Sequence, residues 1–174
     1  MNSLPVPVRA LHALDSCIHT SGRAEITVSA NPVARLLCRV AGLPKPGRDV
    51  PVSVSFHPDG RGTEFWDRRF ASRRYASVME AGRRDDEGLL IEHFGPFELL
   101  FRLEPGDKGL NWSLAGWRLL GLPLPGWSRP TIECSETGDA ERFVFDIHVA
   151  FPLVGHVVHY RGWLVPTEKT NTGP

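Results

Sequence analysis

From Glu141 to Pro166 the chain reads ERFVFDIHVAFPLVGHVVHYRGWLVP. Phe143, Phe145, Ile147 and Val149 alternate with Arg142, Val144, Asp146 and His148, the period-two pattern of a half-buried antiparallel strand. Pro152 and Gly155 let the chain reverse, so the stretch predicts a β-hairpin. Its second arm sets Val157, His159, Arg161 and Trp163 against Val158, Tyr160, Gly162 and Leu164, with large side chains on both faces. Similar alternation predicts strands over 23–29, 50–56, 63–70, 73–80, 89–94, 97–103 and 131–136. Residues 109–120 read as a strand with an irregularity at Gly116. Two segments carry a helical period instead. A short helix begun by proline is expected within 4–14, using Val8, Leu11 and Leu14. Asn31-Pro32 then opens a helix over 32–41, with Val33, Leu36, Leu37 and Val40 as a stripe opposite Arg35 and Arg39.

Nine or ten short strands in sequence form a meander, and a strongly twisted sheet of that size curls or closes. The predicted fold is mainly β: an antiparallel barrel or half-barrel with one or two short helices near the N-terminus, capped by helix 32–41. At 174 residues the chain fits one domain, taken as 1–166, with a polar tail over 167–174. The 17 glycines and 15 prolines are spread along it, as many turns require. Residues 42–51 and 121–130 share the pattern G-L-P-x-P-G-x-x-x-P. Proline stiffens both loops, which can frame the two rims of an opening or be turns alike by chemistry alone.

Charge narrows the function classes. Lys plus Arg and Asp plus Glu are 20 each, which gives no global attraction to nucleic acid. No apolar run reaches a membrane span, and no signal-peptide pattern opens the chain. Cys17, Cys38 and Cys134 lack metal-ligand spacing and read as reduced thiols, so a cytoplasmic setting is expected. No nucleophile elbow, P-loop, dinucleotide fingerprint or His-Glu-x-x-His is present, and no cofactor is expected.

The remaining chemistry is scattered. Glu92, Asp146 and His148 are the candidates for proton transfer, the last two sharing a strand face. On a regular strand His156 and His159 fall on opposite faces, so no metal site is expected from them. Residues 61–84 hold seven arginines against Glu64, Asp67 and Glu80, the pattern of a solvated sheet edge. Arg68 differs, because it shares a face with Trp66 and Phe70, where a guanidinium can stack on indole. An inward Arg68 needs an anion or an internal carboxylate; Glu92 is the first candidate and Asp146 the second. Trp66, Arg68, Phe70, Glu92 and Trp163 are therefore the candidate walls of a ligand cavity.

The ordered run G-L-P-x-P-G…V-P-V, W-D-R-R-F, E-H-F-G-P-F, L-L-G-L-P-L-P and P-L-V-G…Y-R-G-W-L resembles the bacterial domain-of-unknown-function 4166 family over nearly the whole chain. The resemblance implies a domain that stands alone or follows Rossmann-type dehydrogenase or epimerase modules, with an accessory or substrate-handling role. It brings no reaction with it. Three functions stay open: a barrel for a small amphipathic ligand, a proton-transfer isomerase or hydrolase, and a docking domain for a dehydrogenase-like partner.

Overall fold

The computed structural model describes residues 4–12, 16–106, 108–139 and 141–170. The chain begins with helix α1 (Val6–Leu11), strand β1 (Cys17–Val28) and helix α2 (Pro32–Val40). The strands β2 (Gly47–Pro58), β3 (Thr63–Phe70), β4 (Arg73–Ala81), β5 (Leu90–Phe94), β6 (Phe97–Gly106) and β7 (Gly109–Leu119) follow. After a two-residue strand β8 (Leu122–Pro123) come β9 (Thr131–Asp139), β10 (Arg142–Phe151) and β11 (Gly155–Thr170). Each strand pairs antiparallel with its neighbour, β9 pairs with β7, and β11 returns to β1. Ten strands thus close into a barrel, with β8 appended to β7. The pairing of β1 with β11 reaches Cys17↔Thr170, into the segment read as a tail; 171–174 and Leu14 lie outside the described residues.

Alternation aims the core inward. Phe143, Phe145 and Val149 are buried, as are Val52, Val54 and Phe56 on β2. Two glycines sit in the seam between β1 and β11. A Cβ on Gly162 would stand 2.2 Å from the Arg23 carbonyl oxygen, and one on Gly22 would stand 1.7 Å from that of Trp163. These two glycines let the strands coil closely enough to close the sheet.

The two ends differ. At one end α1 plugs the barrel, with Val8 and Leu11 0% and 2% exposed. At the other stand α2, the turns at 71–72, 95–96 and 152–154, and the long connection 120–130. Helix α2 starts as its sequence requires: Asn31 Oδ1 accepts from Val33 N at 2.9 Å, with Pro32 in the first turn. Its packing departs from the stripe. Ala34 and Cys38 turn to the barrel, because small side chains allow close approach to β11, and Val33, Leu36 and Val40 stay exposed. Strand β1 begins six residues before the predicted 23–29; Ser, Gly and His hide the alternation of Ile18 and Thr20, both buried.

Phe145→Ala should cost about 3–5 kcal/mol in urea unfolding, as a large core ring is lost. Asp146, on the outer face and paired with half-buried His159, should cost under about 1 kcal/mol when changed to Ala. Equal large losses would invert this assignment of faces.

Candidate functional site

The barrel holds a cavity of about 770 Å³ that runs from Leu11 and His12 to the end lined by Leu37 and Val40 of α2, Pro96 and Pro130. Its wall is mainly aromatic and aliphatic, and its polar groups are few and convergent. Strand β3 turns Trp66, Arg68 and Phe70 into it, as alternation requires. Glu92 enters from β5, opposite Met79 of β4. Arg68 Nη2 meets Glu92 Oε1 at 3.1 Å, with both side chains 13% exposed. Arg68 Nη1 donates to Ser77 Oγ at 2.6 Å. The guanidinium lies 4.7 Å from the Trp66 ring centroid and 5.5 Å from that of Tyr75. Burial opposes its charge, but the Glu92 carboxylate and the oxygens of Tyr75 and Tyr160 outweigh this and hold Arg68 more firmly protonated than usual. Tyr75 and Tyr160 hydrogen-bond to each other, and burial raises both phenols. Burial also pushes the Cys134 thiol well up, so it stays neutral.

A second polar group lies towards the plugged end. His12, carried in by α1, meets Glu136 Oε2 through Nε2 at 2.7 Å. Glu64 accepts from Trp66 Nε1 at 2.8 Å, and burial raises its carboxyl. Trp112 Nε1 beside His12, and Trp117 Nε1 at the other end beside Phe97 and Phe151, are buried cavity-wall donors with no acceptor among the described residues. Each such donor costs free energy until an acceptor reaches it.

The proton-transfer trio does not assemble. Glu92 lies inside, while Asp146 and His148 share the opposite, outer face of β10. Asp146 Oδ1 instead meets His159 Nε2 at 2.7 Å, and His148 Nε2 meets His156 Nδ1 at 3.0 Å. The register shift between Val149 and Ala150 leaves Val157 as an extra residue, and this bulge puts His156 and His159 on one face, contrary to a regular strand. Trp163 is also outside, with the Arg142 guanidinium 4.6 Å from its ring centroid. The outward face of β11 carries His159, Arg161 and Trp163, whereas Tyr160 and Leu164 turn inward. Sequence reading missed His12, Glu64 and Glu136. Glu136 ends a run, TIECSE, whose alternation marks Ile132, Cys134 and Glu136 as one face; that was the available signal.

The sequence profile of a family described as a domain of unknown function, DUF4166, matches residues 4–164. An uncharacterised protein of Bacillus subtilis (strain 168), YndH, is 26% identical over 140 residues, which is 71% of this chain and 68% of that protein. No solved structure matches the chain.

His12 is pulled down by burial but raised more by its hydrogen bond and charge contact with Glu136, for a net rise above 6.5. The folded state therefore holds this proton more tightly than the unfolded chain. The resulting stability is complete below pH 6.5 and is lost as pH rises through the higher folded value. Melting temperatures across that window should fall in the native protein and level out in Glu136→Gln; parallel curves would remove the linkage.

Proposed function

The chain belongs to this family of domains of unknown function, and we propose that it is a binding barrel for a small molecule with an apolar body and an acidic head. Among the described residues, no helix is long and apolar enough to cross a membrane. The observation that carries the proposal is the Arg68–Glu92 pair inside a mainly apolar cavity of about 770 Å³. That volume falls within the roughly 300–1,000 Å³ usual for small-molecule sites. A packed barrel does better with hydrophobic residues than with a buried ion pair, which makes a purely structural role for this pair an expensive one. The contacts of Arg68 Nη2 with Glu92 and of Nη1 with Ser77 do not use all five N–H donors of the guanidinium, so its fork retains donors for a second carboxylate. The ligand's acid competes with Glu92 for the guanidinium, its apolar body lies along Trp66, Phe101 and Trp112, and an acceptor on it can reach the orphaned indole donors.

Anilinonaphthalene sulfonate and dodecanoate test this through tryptophan fluorescence. The double variant Arg68→Met/Glu92→Leu replaces both charges by apolar groups and should keep the fold. It should bind either acid more than about tenfold more weakly, the loss expected of a charge-assisted hydrogen bond. Glu92→Gln removes the internal competitor and should tighten binding roughly tenfold by the same reasoning. A flat titration of the folded native protein across a broad panel of acids would dismiss the proposal, as would equal binding by all three proteins.

A further inference from the structure

On the outer face, near the plugged end, β1 and β2 bring together three groups of a different kind. Cys17 and His19 lie two apart on β1, and His57 stands opposite Cys17 on β2. Cys17 Sγ is 3.6 Å from His19 Nε2 and 3.1 Å from His57 Nδ1, and the three donor atoms lie within 4.8 Å of one another. Zinc–sulfur and zinc–nitrogen bonds of about 2.3 and 2.0 Å at a tetrahedral angle put sulfur and nitrogen about 3.5 Å apart. The spacing is thus close to that of a ligand set. His19 Nδ1 is 2.8 Å from Ser55 Oγ. If it donates there, its Nε2 lone pair points at the cluster, the outer support that metal-bound histidines normally have.

We infer that Cys17, His19 and His57 form a zinc site with three protein ligands and a fourth position open to water. Binding replaces the Cys17 S–H bond with a Zn–S bond and releases that proton to solvent; nothing is oxidised or reduced. Cys38 and Cys134 belong to the barrel interior and take no part. Purified full-length protein should take up one equivalent of Zn²⁺, and Co²⁺ should give a thiolate-to-metal charge-transfer band. Cys17→Ala should abolish the band and weaken Zn²⁺ binding by at least about 100-fold, and Ser55→Ala should weaken it roughly tenfold. His156→Ala, in the other outer histidine group, should change neither. Circular dichroism confirms folding in each variant. Absence of stoichiometric Zn²⁺ binding, or equal binding by Cys17→Ala, overturns the site.

A separate observation concerns the open end. The apolar side chains there face water: Val33, Leu36 and Val40 on α2, with Leu120, Leu122, Trp127 and Leu153, all between 52% and 104% exposed. Leu120 and Leu153 also sit at φ 51° and 64°, the left-handed region where glycine or asparagine is usual. Leucine there is disfavoured both by backbone and by solvent, so its presence favours a role for the side chain itself. The segments that form this end, 31–48, 70–73, 94–97, 119–130 and 151–156, contain Arg35, Arg39, Lys45, Arg48, Arg73 and Arg129 but no Asp or Glu. The acids that directly follow these segments, Asp49 and Glu98, pair with Arg23 at 3.4 Å and with Arg118 at 3.2 Å.

An apolar rim within a basic field matches an anionic lipid surface. The geometry points to docking of the cavity mouth on anionic membrane, which would be the source of the amphiphile; this part rests on the binding-barrel proposal. Vesicles of phosphatidylglycerol and phosphatidylcholine should sediment the protein and blue-shift Trp127, and phosphatidylcholine alone should do so at least tenfold less. Leu122→Ser/Trp127→Ala should lose sedimentation yet bind dodecanoate as before. Folded protein that ignores anionic vesicles while binding dodecanoate refutes docking and leaves the barrel proposal standing. A dimer that buries Trp127 in solution, or equal sedimentation by the double variant, also refutes it.

Discussion

Closure of the sheet is the constraint on which everything else depends. Antiparallel pairing of β11 with β1 joins the last strand of a meander to the first, so no long sheet edge is left between them. Gly22 and Gly162 sit where any Cβ would strike the opposing backbone, so the seam exists only because these positions lack one. Ten strands enclose more space than about eight, at which inward side chains just fill the interior. The consequence is an interior that α1 plugs at one end and that stays open at the other.

Within that interior, electrostatics decides what can be tolerated. A guanidinium there needs a counter-charge, and Glu92 provides it two strands away from Arg68, with Ser77 on the strand between. Trp66 and Tyr75 flank the cation with ring faces. The same enclosure keeps Cys134 and the two tyrosines neutral. The arrangement favours recognition of an anion by a fixed positive charge. It does not gather Glu92, Asp146 and His148, since the wall of the barrel stands between the first and the other two.

What the sequence disclosed follows from period two. Phe143, Phe145 and Val149 were legible as an inward face, and so was the set Trp66, Arg68 and Phe70, because alternation holds without interruption in β10 and β3. The meander and its closure followed from strand number and short links. Alternation failed where the backbone slips by a residue: the bulge at Val157 moves His156 onto the face of His159, which is why the histidine faces could not be read. Trp163 lies beyond that bulge, where apolar bulk on both faces gave no direction. Pairs distant along the chain were out of reach as well. His12 meets Glu136 across 124 residues, and His57 meets Cys17 across 40. In α2 the hydrophobic stripe misdirected the reading in part, since Ala34 and Cys38 pack with Leu37 while Val33, Leu36 and Val40 stay in water.

Native mass spectrometry of the intact chain, before and after incubation with a panel of acidic amphiphiles, measures the central claim directly. The account predicts one small acidic molecule per chain, either retained from the cell or taken up from the panel, and none in the variant that lacks both Arg68 and Glu92 charges. A folded chain that shows only its own mass with every member of the panel, or an adduct that survives removal of both charges, would contradict it.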